Sequence, residues 1–144
     1  MTESDILGIE SALGLALPRD YRQFLVAGVD EAKRIAEDLP FLATSWTDAD
    51  EIIRGNRLAR AFADEMTIGE DEDDETSWPD RYVLVGTNGG GDFWFVQADG
   101  GEPGLWFWEH ESHEIRHCHT TFDEYVDSLR NDVADPDRRR AYGG

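Results

Sequence analysis

The sequence is poor in the residues and segments on which several protein classes depend. It contains a single cysteine, Cys118, so an intramolecular disulfide is impossible and a disulfide-stabilised secreted scaffold is excluded. No apolar run approaches the roughly 18 residues of a membrane-spanning helix. Residues 1–10 are acidic rather than basic and then apolar, which is not the pattern of a secretory signal. We therefore expect a soluble, cytoplasmic protein.

Positive charge is also scarce. The 144 residues include 32 Asp and Glu against 13 Lys and Arg, which gives a formal net charge of −19 at pH 7. Such a surface repels phosphate groups, so the sequence predicts no direct binding to nucleic acid and none to membranes. The charge favours a basic protein partner, although it also serves solubility alone.

Motifs for catalysis and cofactor binding are missing. No serine or cysteine lies in a recognisable nucleophile motif. With so many carboxylates some pair is always close, so proximity of two acids does not indicate acid–base catalysis. Asp92, beside Gly91, is expected to accept hydrogen bonds from turn amides. The sequence therefore predicts a binding protein that is not an enzyme and has no cofactor.

The clearest structural signal lies in residues 78–109, which are dense in aromatic residues and Gly-rich turns. The turns at 88–91 and 99–101 supply the positive φ angles of tight hairpins. Near-continuous apolar residues predict a sheet that is buried on both faces, or buried on one face with the other available to a partner. The predicted strands cover residues 82–86, 92–98, 105–110 and 114–119.

Two short amphipathic helices open the chain. The first begins after Thr2 or Ser4 and ends at Gly14, where glycine tolerates a left-handed conformation. The second begins at Pro18, a residue suited to a first helical turn, and ends at Gly28. Their apolar positions recur at helical spacing and are Ile6, Ile9, Leu13, Tyr21, Phe24 and Leu25.

The middle of the chain is less regular. Pro40 interrupts one helical segment. Thr47 and Asp50 have the spacing of a capping box at the start of another helix, in which Gly55 is a weak point. The predicted elements are a helical segment over 30–39, a strand over 41–46 and a helix from about 48 to 66.

The last helix has the strongest N-terminal signal, a capping box formed by Thr121 and Glu124. Its apolar stripe is Phe122, Tyr125, Val126 and Leu129. We expect a single domain over residues 1–131 and a flexible C-terminal tail over 132–144, which lacks apolar periodicity. The predicted fold is α+β, with a central antiparallel sheet flanked by N-terminal and C-terminal helices.

Several of these residues form a pattern seen in a known family. Residues 10–25 read E-x-x-L-G-x-x-L-P-x-D-Y-R-x-F-L. This block resembles the N-terminal signature of the SUKH superfamily, of the Smi/Knr type. The Gly-rich turn with Asp92, the strand end at 108–111 and the closing F-x-x-Y-V-x-x-L at 122–129 resemble it too. The resemblance covers most of residues 6–130, except 29–77.

The resemblance implies a bacterial immunity protein that binds and neutralises a polymorphic toxin domain, often a nuclease. Eukaryotic relatives of this type act as hubs in cell-wall signalling, so a regulatory scaffold with several partners is the alternative. The chain departs from the family pattern at Gly28-Val29, where Asn-Gly is frequent, and in an acidic run at residues 70–75.

The acidic run is one candidate partner contact. It consists of Glu70, Asp71, Glu72, Asp73, Asp74 and Glu75. An EF-hand needs glycine at its sixth position, whereas the sixth residue counted from Asp71 is Thr76, so a calcium loop is excluded. The run is either a solvated loop or a patch that steers a basic toxin toward the protein.

The other candidate contact is the end of the third predicted long strand. Trp106 and Trp108 share one face of that strand, and Trp94 lies on another strand. Tryptophan dominates interface hot spots, so Trp108 is expected to be partly exposed and to bind the partner, with Glu109 and Glu111 at its rim.

Histidines cluster in the same region. The candidate metal ligands are His110, His113, His117, His119, Cys118 and Glu109. On a regular strand His117 and His119 share a face, and a third ligand would complete a zinc site. No CxxC or HExxH motif accompanies them. We therefore predict no metal and interpret them as sheet-edge histidines that titrate near pH 6.5.

Overall fold

A five-stranded antiparallel sheet forms the centre of the fold, with helices packed around it, which confirms the predicted α+β class. A computed structural model describes residues 1–38, 44–69, 75–88 and 90–134. Within these ranges the helices are α1 (Glu3–Leu13), α2 (Arg19–Ala27), α3 (Val29–Asp38), α4 (Ala49–Ala61) and α5 (Phe122–Ala134). The strands are β1 (Thr44–Ser45), β2 (Tyr82–Thr87), β3 (Phe93–Gln97), β4 (Leu105–Trp108) and β5 (Ile115–His119). None of these helices combines the length and apolar character needed to cross a bilayer.

The first helix begins and ends as predicted. The Thr2 hydroxyl accepts a hydrogen bond from the Asp5 amide at 3.1 Å, and the Asp5 carboxylate accepts one from the Thr2 amide at 3.0 Å. This reciprocal capping box satisfies two amides that the helix cannot pair internally. Gly14 ends α1 with φ of 71°.

The central helix differs from its prediction at both ends. Asp48, not Thr47, caps α4, because the Asp48 carboxylate accepts from the Asp50 amide at 2.9 Å. The helix ends at Ala61 rather than Met66. Beyond it the chain turns, and the Ala63 carbonyl accepts a hydrogen bond from the Trp78 amide at 3.1 Å. The Ala63 carbonyl thus accepts from Trp78 rather than from an amide in a further turn of α4.

The strands follow one another in space in chain order, β1-β2-β3-β4-β5, as an antiparallel meander. Side chains alternate between two apolar clusters, so the sheet is buried on both faces, which confirms the first of the two predicted alternatives. The first cluster packs Val83, Val85, Val96 and Leu105 against α1, α2, α3 and α5. The second cluster is rich in aromatic residues and includes Trp78, Leu84, Phe95 and Trp108.

The β1–β2 edge of the sheet is covered by α4. The buried Asn56 side chain donates to the Leu84 carbonyl at 2.9 Å and accepts from the Leu84 amide at 2.7 Å. Because β1 has only two residues, Asn56 supplies to Leu84 the two hydrogen bonds that a longer neighbouring strand would otherwise make. Gly55 lies so close to Trp46 that an added Cβ would be 2.3 Å from the indole ring. Glycine is needed here because the helix and the ring touch.

The last helix is tied to the N-terminal half of the chain. The Phe122 amide donates to the Asp20 carboxylate at 2.8 Å, and the Glu124 amide donates to the Thr121 hydroxyl at 3.2 Å. The Glu124 carboxylate accepts from the Thr120 amide, one residue earlier than a capping box requires. The helix continues to Ala134, past the predicted domain boundary at residue 131. Residues 135–144 lie outside the described part.

Candidate functional site

The turn between β4 and β5 is built from its own polar side chains. The Glu109 carbonyl accepts from the His113 amide at 2.8 Å, and the Glu109 amide donates to the Glu114 carbonyl at 3.1 Å. The Ser112 hydroxyl donates to the Glu109 carboxylate at 3.0 Å. His113 has φ of 60°, a conformation unusual for a residue with a side chain. The turn is therefore held in one shape while the carboxylate of Glu111 stays exposed.

The end of the acidic run is attached to this turn. The Glu75 carboxylate lies 2.9 Å from the Thr67 hydroxyl and 3.2 Å from Nδ1 of His113. The Thr67 hydroxyl is itself 2.6 Å from the same ring nitrogen, and the Gly69 amide donates to the His113 carbonyl at 3.0 Å. Both residues that flank positions 70–74 are thus held at His113. Glu75, the described end of the acidic run, therefore lies beside the β4–β5 turn, which the sequence did not indicate.

Most of the acidic run falls outside the described part of the structure. Glu70, Asp71, Glu72, Asp73 and Asp74 lie outside the described residues. Glu75 is described, with 32% of its side chain exposed.

A second turn joins the same end of the sheet. The Asp92 carboxylate accepts from the His110 amide at 2.9 Å and lies 2.7 Å from its ring Nδ1. Asn88 donates to the other Asp92 oxygen at 2.8 Å and accepts from the Gly90 amide at 2.8 Å. The amides within the turn are thus bonded mainly by Asn88. Asp92 accepts from a turn amide, as predicted, but that amide belongs to His110 in the β4–β5 turn.

The Asp92–His110 contact changes the titration of both groups. The hydrogen bond to Asp92 raises the pKa of His110 above its usual 6.5. Burial tends to raise the pKa of Asp92, but the hydrogen bonds from His110 and Asn88 outweigh it and lower that pKa. The pair therefore favours a protonated histidine beside an ionised carboxylate.

Carboxylates dominate this end of the sheet. We call Glu75, Asp92, Glu109, Glu111 and Glu114 the acidic turn surface. Arg116 is the nearby arginine, with its guanidinium 3.9 Å from the Glu109 carboxylate. Among the described residues, five carboxylates outnumber Arg116 and the favoured positive charge of His110, so the surface is negative and can attract a cation-rich partner.

Trp108 does not belong to this surface, and the prediction that it is partly exposed is wrong. Only 3% of the residue is exposed. Its indole packs against Trp78 and Phe93, and its N–H donates to the Thr67 carbonyl at 2.9 Å. Ala63, Met66, Ile68 and Trp78 pack on this face of the sheet and cover it. Trp106 and Trp108 do share a face, as predicted, because both contact the second cluster.

The predicted pairing of His117 and His119 on one face is also wrong. His117 stacks on Trp106, at 4.7 Å between ring centroids, whereas His119 packs against Trp94 and Tyr125 of the first cluster. The register shifts between Leu105 and Trp106, and this bulge places the two rings on opposite faces. In the described part of the chain no three His, Cys, Asp or Glu residues converge as a metal site.

A groove between α2 and α5 was missed by the sequence analysis. It has a volume of about 800 Å³, and Phe24, Val26 and Val126 line its apolar wall. Two of the three arginines that line it form ion pairs, since Arg22 contacts Glu3 and Glu10, and Arg130 contacts Glu31 and Asp127. Val26 is the residue from which the groove could have been predicted, because it is apolar but lies outside the buried stripe of α2. It is 52% exposed.

Comparison with known proteins identifies the family. A family model described as SMI1 / KNR4 family (SUKH-1) matches residues 1–128. A comparison with curated proteins gave no match. Because the family match covers nearly the whole chain, from α1 into α5, the protein belongs to the SMI1 / KNR4 family (SUKH-1).

Proposed function

We propose that the protein is a cytoplasmic bacterial immunity protein that neutralises a cognate toxin by blocking its active cleft. Family membership supports an immunity-type or Smi1/Knr4-like protein. The toxin itself, a basic protein and in the simplest case a nuclease domain, is our inference from charge. A cleft that binds nucleic acid is rich in cations, and carboxylates can occupy it in place of phosphates.

The concentration of carboxylates at one end of the sheet carries this proposal. The acidic turn surface joins two hairpin turns, and the acidic run is anchored at its edge through Glu75. Glu75, Glu109 and Glu111 are the described contact residues, and the carboxylates at positions 70–74 complete the proposed contact. Trp108 supports the turn from beneath, through its ring contact with His113.

A regulatory scaffold with several partners is the second candidate. The α2–α5 groove favours it, because a hub needs a binding surface besides the acidic turn surface. A scaffold would associate weakly with several proteins and would give no protection against a toxin.

Isolation of the protein from the cells that produce it distinguishes these functions. At low salt, an immunity protein should bring down one basic partner in equal amount and release it at high salt. The variant Glu75→Gln/Glu109→Gln/Glu111→Gln should lose that partner. The control Asp80→Asn/Asp99→Asn/Glu102→Gln removes the same formal charge near the opposite end of the sheet and should retain it. Equal recovery with both variants would reject the proposed contact surface.

A further inference from the structure

The outer edge of β5 is open in the described structure. β5 ends the sheet, with β4 as its neighbour on one side. The Glu114 carbonyl points toward β4, where it accepts from the Glu109 amide. Successive residues of a strand alternate, so the N–H and C=O groups of Ile115 and His117 point away from β4. Among the described residues no group forms a hydrogen bond with these four outward groups.

The side chains of β5 leave this edge accessible. The Arg116 guanidinium lies over the Phe107 ring of β4, 5.4 Å from its centroid. The His117 ring stacks on Trp106, also in β4. Both exposed side chains thus lean back over the sheet rather than across its edge. Natural sheets often protect an edge strand with a proline, a projecting lysine or a bulge. β5 contains no proline or lysine, and its bulge lies between His117 and His119, after the outward groups of Ile115.

Charge indicates which kind of strand the edge accepts. β5 begins directly after the acidic turn surface, whose carboxylates include Glu109, Glu111 and Glu114. A second copy of this chain would bring another net charge of −19 to the same place. An extended segment rich in lysine or arginine would instead be attracted at the Glu114 end of β5, where these carboxylates lie, whereas Arg116 is the basic residue within the strand itself.

We infer that β5 accepts an extended basic segment of a partner protein as a sixth, hydrogen-bonded strand beside the acidic turn surface. Main-chain hydrogen bonds at Ile115 and His117 would supply affinity, and the carboxylates of the turn would select for positive charge. The basic character of the partner rests on the proposed function, whereas the open edge rests on the described part of the structure alone.

Amide hydrogen exchange of the labelled protein, with and without a synthetic peptide KVKVKVK, tests this inference. The peptide alternates basic and apolar residues and is blocked at both ends. The amides of Ile115 and His117 should exchange fast in the free protein and become at least about tenfold slower when the peptide is bound. The amide of Arg116 points toward β4 and serves as an internal standard that is protected throughout. The matched peptide EVEVEVE should have no effect.

Two substitutions add a second measurement. His117→Pro removes an outward amide and should weaken peptide binding at least about tenfold, whereas His117→Val keeps the amide and should bind as the unmodified protein does. If His117→Pro fails to fold, the exchange experiment on the unmodified protein still decides the question.

The outcomes separate this inference from the proposed function. Binding of KVKVKVK that perturbs residues 109–114 but leaves the Ile115 and His117 amides unprotected would overturn strand addition while leaving the acidic contact intact. Equal protection by both peptides would overturn the charge selection. No binding of either peptide would overturn the inference as a whole.

Discussion

At the β1–β2 edge the sheet is sealed by side chains, whereas at the β5 edge it is not. Asn56 bonds both main-chain groups of Leu84, and α4 packs so tightly on Trp46 that glycine is required at position 55. At β5 the outward groups of Ile115 and His117 have no hydrogen-bond partner among the described residues. Within the described residues, one edge is closed by a buried amide and the other, beside the acidic turn surface, is accessible; we infer that a partner binds at the accessible edge.

Removal of Asn56 should cause the largest loss of stability. In Asn56→Ala the amide and carbonyl of Leu84 stay buried without a partner, which should lower the free energy of unfolding by about 3 kcal/mol. Chemical denaturation measures this change. The exposed neighbour Arg57 provides the control, since Arg57→Ala should alter stability by less than about 0.5 kcal/mol. Similar values for the two variants would mean that the amide does not seal the edge.

A methyl group at position 55 should have the next largest effect. Gly55→Ala places a carbon against the Trp46 ring and should cost about 2 kcal/mol through overpacking, although alanine favours helices. Gly8→Ala is the matched control in α1, where nothing lies within 4 Å of the added carbon, and it should stabilise by up to about 1 kcal/mol. Adding Trp46→Phe should recover part of the loss. A gain of stability in both glycine variants would contradict the close contact between Gly55 and the Trp46 ring.

Proline should be tolerated at the open edge. His117→Pro removes an amide that points to solvent, so the free energy of unfolding should fall by less than about 1 kcal/mol. Arg116→Pro removes an amide that faces β4 and should cost more than about 2 kcal/mol. Thermal and chemical denaturation of the two variants give the comparison. A large loss in His117→Pro would show that the edge is engaged within the molecule.

The contribution of the Asp92–His110 contact to the stability of the fold should also depend on pH. The raised pKa of His110 means that its contact with Asp92 stabilises the fold fully below about pH 6.5 and loses this effect as pH rises through the folded-state pKa. Asp92 has a lowered pKa, so its contribution is lost only as pH falls through that value. An NMR titration should place the His110 midpoint above 6.5 and lower it in Asp92→Asn.

His119 provides the control for that titration. Burial lowers its pKa, and it lies far from the Asp92 contact in the register of the sheet. Its midpoint should stay below 6.5 in both proteins. A His110 midpoint that is unchanged by Asp92→Asn would contradict the assignment.

Local sequence patterns predicted the elements whose signals are themselves local. The capping residues Thr2 and Thr121, the glycine at position 14 and the paired hairpin turns determine their own conformations, and the structure agrees. Near-continuous apolar residues in the strands left two alternatives, and the structure shows the first, a sheet buried on both faces. The α+β class and the family resemblance also rest on local sequence patterns, and both are confirmed.

The errors concern contacts between distant parts of the chain. Trp108 looked like an exposed strand end because nothing in the sequence indicates that Met66, Ile68 and Trp78 pack over it. The bulge that separates His117 from His119 depends on pairing with β4, and the end of α4 depends on a bond to Trp78. The meeting of Glu75 with His113 spans 38 residues and has no local signal.

The salt dependence of binding between this protein and the partner isolated with it tests the central claim most directly. The affinity of the unmodified protein should fall steeply as salt rises. Glu75→Gln/Glu109→Gln/Glu111→Gln should bind at least about tenfold more weakly at low salt and show a shallower dependence, while Asp80→Asn/Asp99→Asn/Glu102→Gln should match the unmodified protein. Equal affinities and equal salt slopes for all three proteins would contradict the account, because the acidic turn surface would then not be where the partner binds.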